Sequence, residues 1–135
     1  MDKTTLAKIY QPMMGQPSIR LPYCPICGRT SPLEQHHIVK RSQGRMFVDG
    51  RELKKPTITL CGFGNNLKDA DGNLYCHGKA HHGMLHFRWV YATAPSGTVG
   101  ELPYPPIGAG HWEYLETDEP VRYSQALEME GWKSI

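Results

Sequence analysis

Four cysteines constrain this chain more than any other feature. In Cys24-Pro25-Ile26-Cys27-Gly28 two residues separate the thiols, a spacing at which both sulfurs can point at one ion, and the glycine permits the tight turn that follows. Cys61 and Cys76 stand 14 residues apart, so they are no second knuckle by spacing, yet Gly62-Phe63-Gly64 follows Cys61 and His77 follows Cys76. The opening MDKTTLAKIYQPMMG has an acid at position 2 and no apolar leader, and no stretch approaches the roughly 18 to 20 apolar residues of a membrane span. A cytoplasmic chain with no membrane partner is expected. In that compartment Cys24, Cys27, Cys61 and Cys76 read as ligands of one structural Zn2+, with buried or disulfide-linked thiols as the alternative.

Charge divides the chain. Over its 135 residues the net charge is only +2, but residues 1–88 hold 13 Lys+Arg against 6 Asp+Glu (+7), and residues 89–135 hold 2 against 7 (−5). All four cysteines lie in the basic part, which suits a polyanionic partner such as nucleic acid, although a solvated surface with no partner is the plainer account of charge alone. The length is that of one domain, and 39% hydrophobic residues supply a modest core.

Fourteen Gly and 11 Pro argue against long regular elements. Residues 1–22 read as a loose arm in which Leu6, Ile9 and Tyr10 form at most one turn, residues 23–91 as the core, and residues 92–135 as an acidic extension packed on it. Ser31–Arg41 and Pro56–Leu60 suit two short strands of a hairpin with a long connection, the second because Pro-Thr-Ile-Thr-Leu alternates and is β-branched. Gly62–Asn73 is a loop by composition. Ala80, Met84, Leu85, Phe87 and Trp89 predict a helix over Cys76–Tyr91, interrupted by Gly78 and Gly83. Ala94–Gly110, punctuated by Gly and Pro, reads as a linker; His111–Leu115 suits a strand, and Ser124 caps a short helix ending near Gly131. Trp112, Tyr114, Leu115, Leu127 and Trp132 give the extension apolar surface to bury, which favours packing over the other role open to it, weak competition with a polyanion.

Six of the seven histidines fall inside this ββα outline: His36, His37, His77, His81, His82 and His86. On a helix His77 and His81, or His82 and His86, present imidazoles one turn apart, but the two pairs point about 100° apart and do not easily share one ion. His36 and His37 alternate faces on a strand, so one can bind a metal while the other stays basic. Phosphodiester hydrolysis uses that division of labour.

In order along the chain, CPICG, LEQHHIVKRSQG, TITLCG and CHGKAHH resemble the HNH endonucleases, in particular the small zinc-stabilised forms common in bacteriophages. The resemblance covers about Cys24 to Trp89. It implies a small α+β fold, a ββα-metal finger with a structural four-cysteine zinc and a C-terminal strand and helix extension. It further implies His37 as general base, and His36, His77 and His81 as ligands of a catalytic divalent cation, Mg2+ or Mn2+ in the first instance. The activity implied is metal-dependent DNA hydrolysis to 5′-phosphate and 3′-hydroxyl ends, with DNA and other phage or DNA-processing proteins as partners. Lys40, Arg41 and Arg45, followed by Lys54 and Lys55, are placed to hold backbone phosphates. The chain departs from the pattern at Pro56, where the family has an asparagine that orients the base, and Asn65, Asn66 and Asn73 sit in an enlarged spacer. A non-catalytic zinc module that binds nucleic acid or a protein is the alternative reading.

Overall fold

The computed structural model describes residues 13–64, 66–92 and 109–135. The turn expected around Leu6–Tyr10, Asn65 and nearly all of the expected linker lie outside the described residues. The fold is a small mixed α/β arrangement. Strand β1 (Leu33–His37) pairs antiparallel with β4 (Thr57–Cys61) in a register that sets His36 opposite Ile58 and His37 opposite Thr57. On its other edge β4 holds Ile19, whose amide donates to the Thr57 carbonyl (2.8 Å) and whose carbonyl accepts from Thr59 (3.0 Å). Alternation explains β4: Ile58 and Leu60 are fully buried on one face. On the other, Thr59 Oγ1 donates to Gln35 Oε1 (2.9 Å) and accepts from the Leu21 amide (3.1 Å).

The connection between β1 and β4 is itself structured. Strands β2 (Phe47–Val48) and β3 (Arg51–Glu52) form a hairpin around Asp49-Gly50, both with positive φ (51° and 79°), as a two-residue turn matched to strand twist requires. After the loop that follows β4, helix α1 (Cys76–His81) occupies only the first third of the expected helix. The remainder is strand β5 (Leu85–Tyr91). Gly83 takes φ +74°, which ends the helix, and from Leu85 the sequence alternates with β-branched and aromatic residues, burying Leu85 and Phe87 on one face.

β5 pairs along its whole length with β6 (Gly110–Glu116), and β6 pairs in turn with β7 (Lys133–Ser134). A second helix, α2 (Tyr123–Ala126), starts from Arg122 rather than Ser124 and stops well short of Gly131. The C-terminal extension therefore shares the core. Trp112 is buried against the cluster formed by Met13, Val39, Ile58, Leu60 and Phe87, and its indole N–H donates to the Pro17 carbonyl (2.8 Å). The Tyr123 hydroxyl donates to the Phe87 carbonyl (2.7 Å). Of the other apolar residues expected to bury the extension, Leu115 is buried, Tyr114 and Trp132 are partly so, and Leu127 stays exposed. Among the described residues no helix is long and apolar enough to cross a membrane.

Candidate metal centres

Two clusters of potential ligands share α1. At its first residue, Cys76 joins Cys61 at the end of β4 and the Cys24–Cys27 turn, and the four Sγ atoms lie within 4.8 Å of one another. A tetrahedral zinc with bonds of about 2.3 Å needs sulfurs about 3.8 Å apart. Cys27 and Cys61 are 3.5 Å apart, and the Cys76 amide donates to Cys61 Sγ (3.3 Å). The turn is held by Gly28 N–H on the Cys24 carbonyl (2.8 Å) and Cys24 N–H on the Arg29 carbonyl (2.8 Å). Arg29 also pairs with Asp69 (2.8 Å), whose other oxygen caps the amides of Asp71 and Asn73 and so ties the enlarged loop to the knuckle. Protons are contested here. A hydrogen bond from Cys76 pushes Cys24 down to about 5, the same bond pushes Cys76 up, and burial carries Cys61 up to about 11. Four thiols at this spacing fit a structural metal such as zinc, which would replace the shared protons.

On the same helix His77, next to Cys76, and His81, one turn on, face His36 of β1. Their ligand nitrogens lie within 4.8 Å of one another, with Nε2 of His77 and His81 3.1 Å apart. Helical spacing sets one pair, and the register of β1 supplies the third imidazole. Burial, then the neighbouring His77 and His81, push His36 down to about 3, so it stays neutral across the physiological range. His77 and His81 are also lowered, chiefly by burial. Glu34 lies 3.2 Å from His77 Nδ1, close but off the line of the N–H. The three imidazoles fit a divalent ion, and a donor set of neutral nitrogens suits a borderline transition metal better than Mg2+, which prefers oxygen.

His82 and His86 do not form the alternative helical pair. His82 ends α1 with Nε2 2.9 Å from Asn66 Oδ1, and His86 sits on β5 with Nε2 2.8 Å from the Gly83 carbonyl. His37 stands outside the triad, and its Nε2 accepts from Arg41 Nε at 3.5 Å. Burial, then the Arg41 and Lys55 charges, hold it below its ordinary range, leaving a neutral base at pH 7.

His36, His37, His77 and His81 line a cleft of about 980 Å³ together with Lys40 and Arg41. The other three expected phosphate contacts do not line it. Arg45 is bound bidentately by Glu52 (2.8 and 2.9 Å) in the β2–β3 hairpin, and Lys54 is exposed elsewhere. Lys55 Nζ caps the carbonyls of Arg41 and Gln43 (2.9 and 2.6 Å), which fixes the loop carrying Arg41. Glu34 escaped the sequence reading although strand alternation from His36 puts it on the same face. No family model, curated protein or solved structure matches this chain.

Proposed function

We propose that the chain is a metal-dependent DNA endonuclease of the ββα-metal, HNH kind, cutting to 5′-phosphate and 3′-hydroxyl ends. One observation carries the reading: three neutral imidazoles converge on one point while the neighbouring His37, outside that cluster, stays neutral in the same cationic cleft. A divalent ion held by His36, His77 and His81 would supply a Lewis acid that offsets charge on the phosphoryl oxygen and the departing 3′ oxygen. His37 takes a proton from the attacking water on its unprotonated nitrogen. Arg41, which engages that nitrogen in the free protein, turns to the incoming phosphate, and Lys40 holds a neighbouring one. Held by Cys24, Cys27, Cys61 and Cys76, a zinc would tie β4 to α1, and β4 in turn pairs with the strand that carries His36.

Supercoiled plasmid with Mn2+, Co2+, Ni2+ or Mg2+ tests this. Cleavage should fall about 10²- to 10⁴-fold in His37→Ala, with duplex binding and zinc content retained. If the unaltered chain cuts with none of these ions, the nuclease reading fails.

Pro56 favours a second reading, a zinc module that binds nucleic acid or a protein without cutting. The residue is buried, its carbonyl accepts the Ile38 amide (3.0 Å), and it offers no side-chain amide to orient His37. Loss of that orientation lowers a rate rather than abolishing it, since base and ligands remain. Retained DNA binding without cleavage would establish the module.

A further inference from the structure

The acidic extension places a cation in the cleft. We propose that Arg122 is a DNA phosphate contact, which makes the segment Val121–Ser124 part of the substrate site and names the sugar-phosphate backbone as what that wall recognises. This rests on the nuclease reading for its ligand and goes beyond it by assigning the extension a role.

Residues 89–135 contain two cations, Arg122 and Lys133, against seven acids. One of the two lines the cleft that holds His36, His37, His77 and His81, whereas no Asp or Glu among the described residues lines it. In a segment of net charge −5, that sorting leaves a wall of one sign facing the histidines. No ion pair among the described residues engages Arg122 or Lys40. Arg45, by contrast, is neutralised by Glu52.

The backbone around Arg122 is fixed on both sides. Val121 N–H donates to the Gly83 carbonyl (2.9 Å), immediately after the helix carrying His77 and His81, and the neighbouring Tyr123 is anchored through its hydroxyl to β5. The His86 ring stacks on Tyr123 with centroids 6.1 Å apart and 15° between planes. A guanidinium on an exposed residue whose backbone is held suits bidentate capture of phosphate oxygens. With Lys40 and Arg41 it gives the cleft three cations for the phosphates of a strand running past the histidines.

The test is fluorescence anisotropy of a labelled DNA duplex in the His37→Ala background, across a series of salt concentrations. Arg122→Ala should weaken binding roughly tenfold at low salt. It should lower the slope of log K against log salt by about 0.9, and weaken duplexes of different sequence alike. Arg122→Glu should weaken binding further, Arg122→Lys should recover part of the loss, and Arg51→Ala, on the β2–β3 hairpin, should change nothing. Zinc content and thermal midpoint report whether each variant folds. If the parent binds and Arg122→Ala and Arg122→Lys both keep its affinity and slope, this inference falls and the nuclease reading stands. If the parent binds no duplex at any salt, both fall.

Discussion

The Glu34 carboxylate stands 3.2 Å from Nδ1 of His77, while Nε2 of the same ring faces His81 at 3.1 Å. A carboxylate that closes on Nδ1 from this distance would fix the tautomer that leaves the opposite nitrogen free to coordinate, and would raise the basicity of that nitrogen. Glu34→Gln should therefore weaken Mn2+ or Co2+ at the triad about 10- to 100-fold, measured by titration calorimetry on zinc-replete protein. Glu34→Ala should weaken it at least as much. An unchanged affinity in both would show that His77 needs no orienting partner.

The four-cysteine cluster predicts one tightly held zinc per chain. Metal analysis after dialysis should find it, and Co2+ in its place should show the sulfur-to-metal charge-transfer band of a thiolate site. Cys27→Ser, at the exposed cysteine, should reduce that band and lower the thermal midpoint. Cys61→Ser or Cys76→Ser, at buried positions, should abolish stable folding, because metal binding and folding are one equilibrium at such sites. A chain that keeps its midpoint after complete chelation would remove zinc from this account.

Gly83 joins α1 to β5 with φ +74°, and a Cβ there would stand 3.0 Å from the Val121 carbonyl oxygen. Both the backbone conformation and the close approach oppose a side chain. Gly83→Ala should cost about 1–3 kcal/mol and lower the thermal midpoint by several degrees. Calorimetry that finds no loss would mean that the turn relaxes freely and does not hold Val121 against α1.

That turn is also where sequence reasoning and structure part. β4 was legible because Thr-Ile-Thr-Leu alternates over a short span whose two faces differ, and the knuckle was legible because two thiols at that spacing do one thing well. Leu85–Tyr91 was not. Ala80, Met84 and Leu85 extend the helical spacing of His77 and His81 past Gly83, and only pairing with β6, some twenty residues away, settles the competition in favour of alternation. The Asp49-Gly50 hairpin carries a local signal, a two-residue Asp-Gly turn, inside what reads from sequence only as a long connection. Glu34 could have been found from strand period alone. Arg122 could not: it reaches the cleft because β6 returns along β5, and nothing local to it says so.

His86 yields a pH prediction. Burial holds its imidazole below the ordinary value near 6.5, and it faces the Tyr123 ring and the carbonyls of Gly83 and Val121. The unfolded chain binds the proton more readily, so the stability that the neutral ring contributes is complete above about pH 6.5 and is lost as pH falls below it toward the lowered folded value. The excess thermal midpoint of the unaltered chain over His86→Gln should therefore shrink between pH 7.5 and 5.5. Zinc loss affects both proteins and cancels in the difference. A difference constant with pH would mean that His86 is not held neutral.

Metal preference follows from the donors themselves. His36, His77 and His81 offer three neutral nitrogens and no oxygen to the same point. Mg2+ holds its waters tightly and favours carboxylates, whereas Mn2+, Co2+ and Ni2+ accept imidazole with rising affinity in that order. Plasmid cleavage at equal ion concentration should therefore be faster with Mn2+ or Co2+ than with Mg2+. His81→Asp, on the more open side of the triad, should narrow that gap by supplying a hard oxygen. Cleavage equally fast with Mg2+, and unmoved in its preference by His81→Asp, would mean that the working ion sits on oxygens elsewhere in the cleft and that the three histidines serve another purpose.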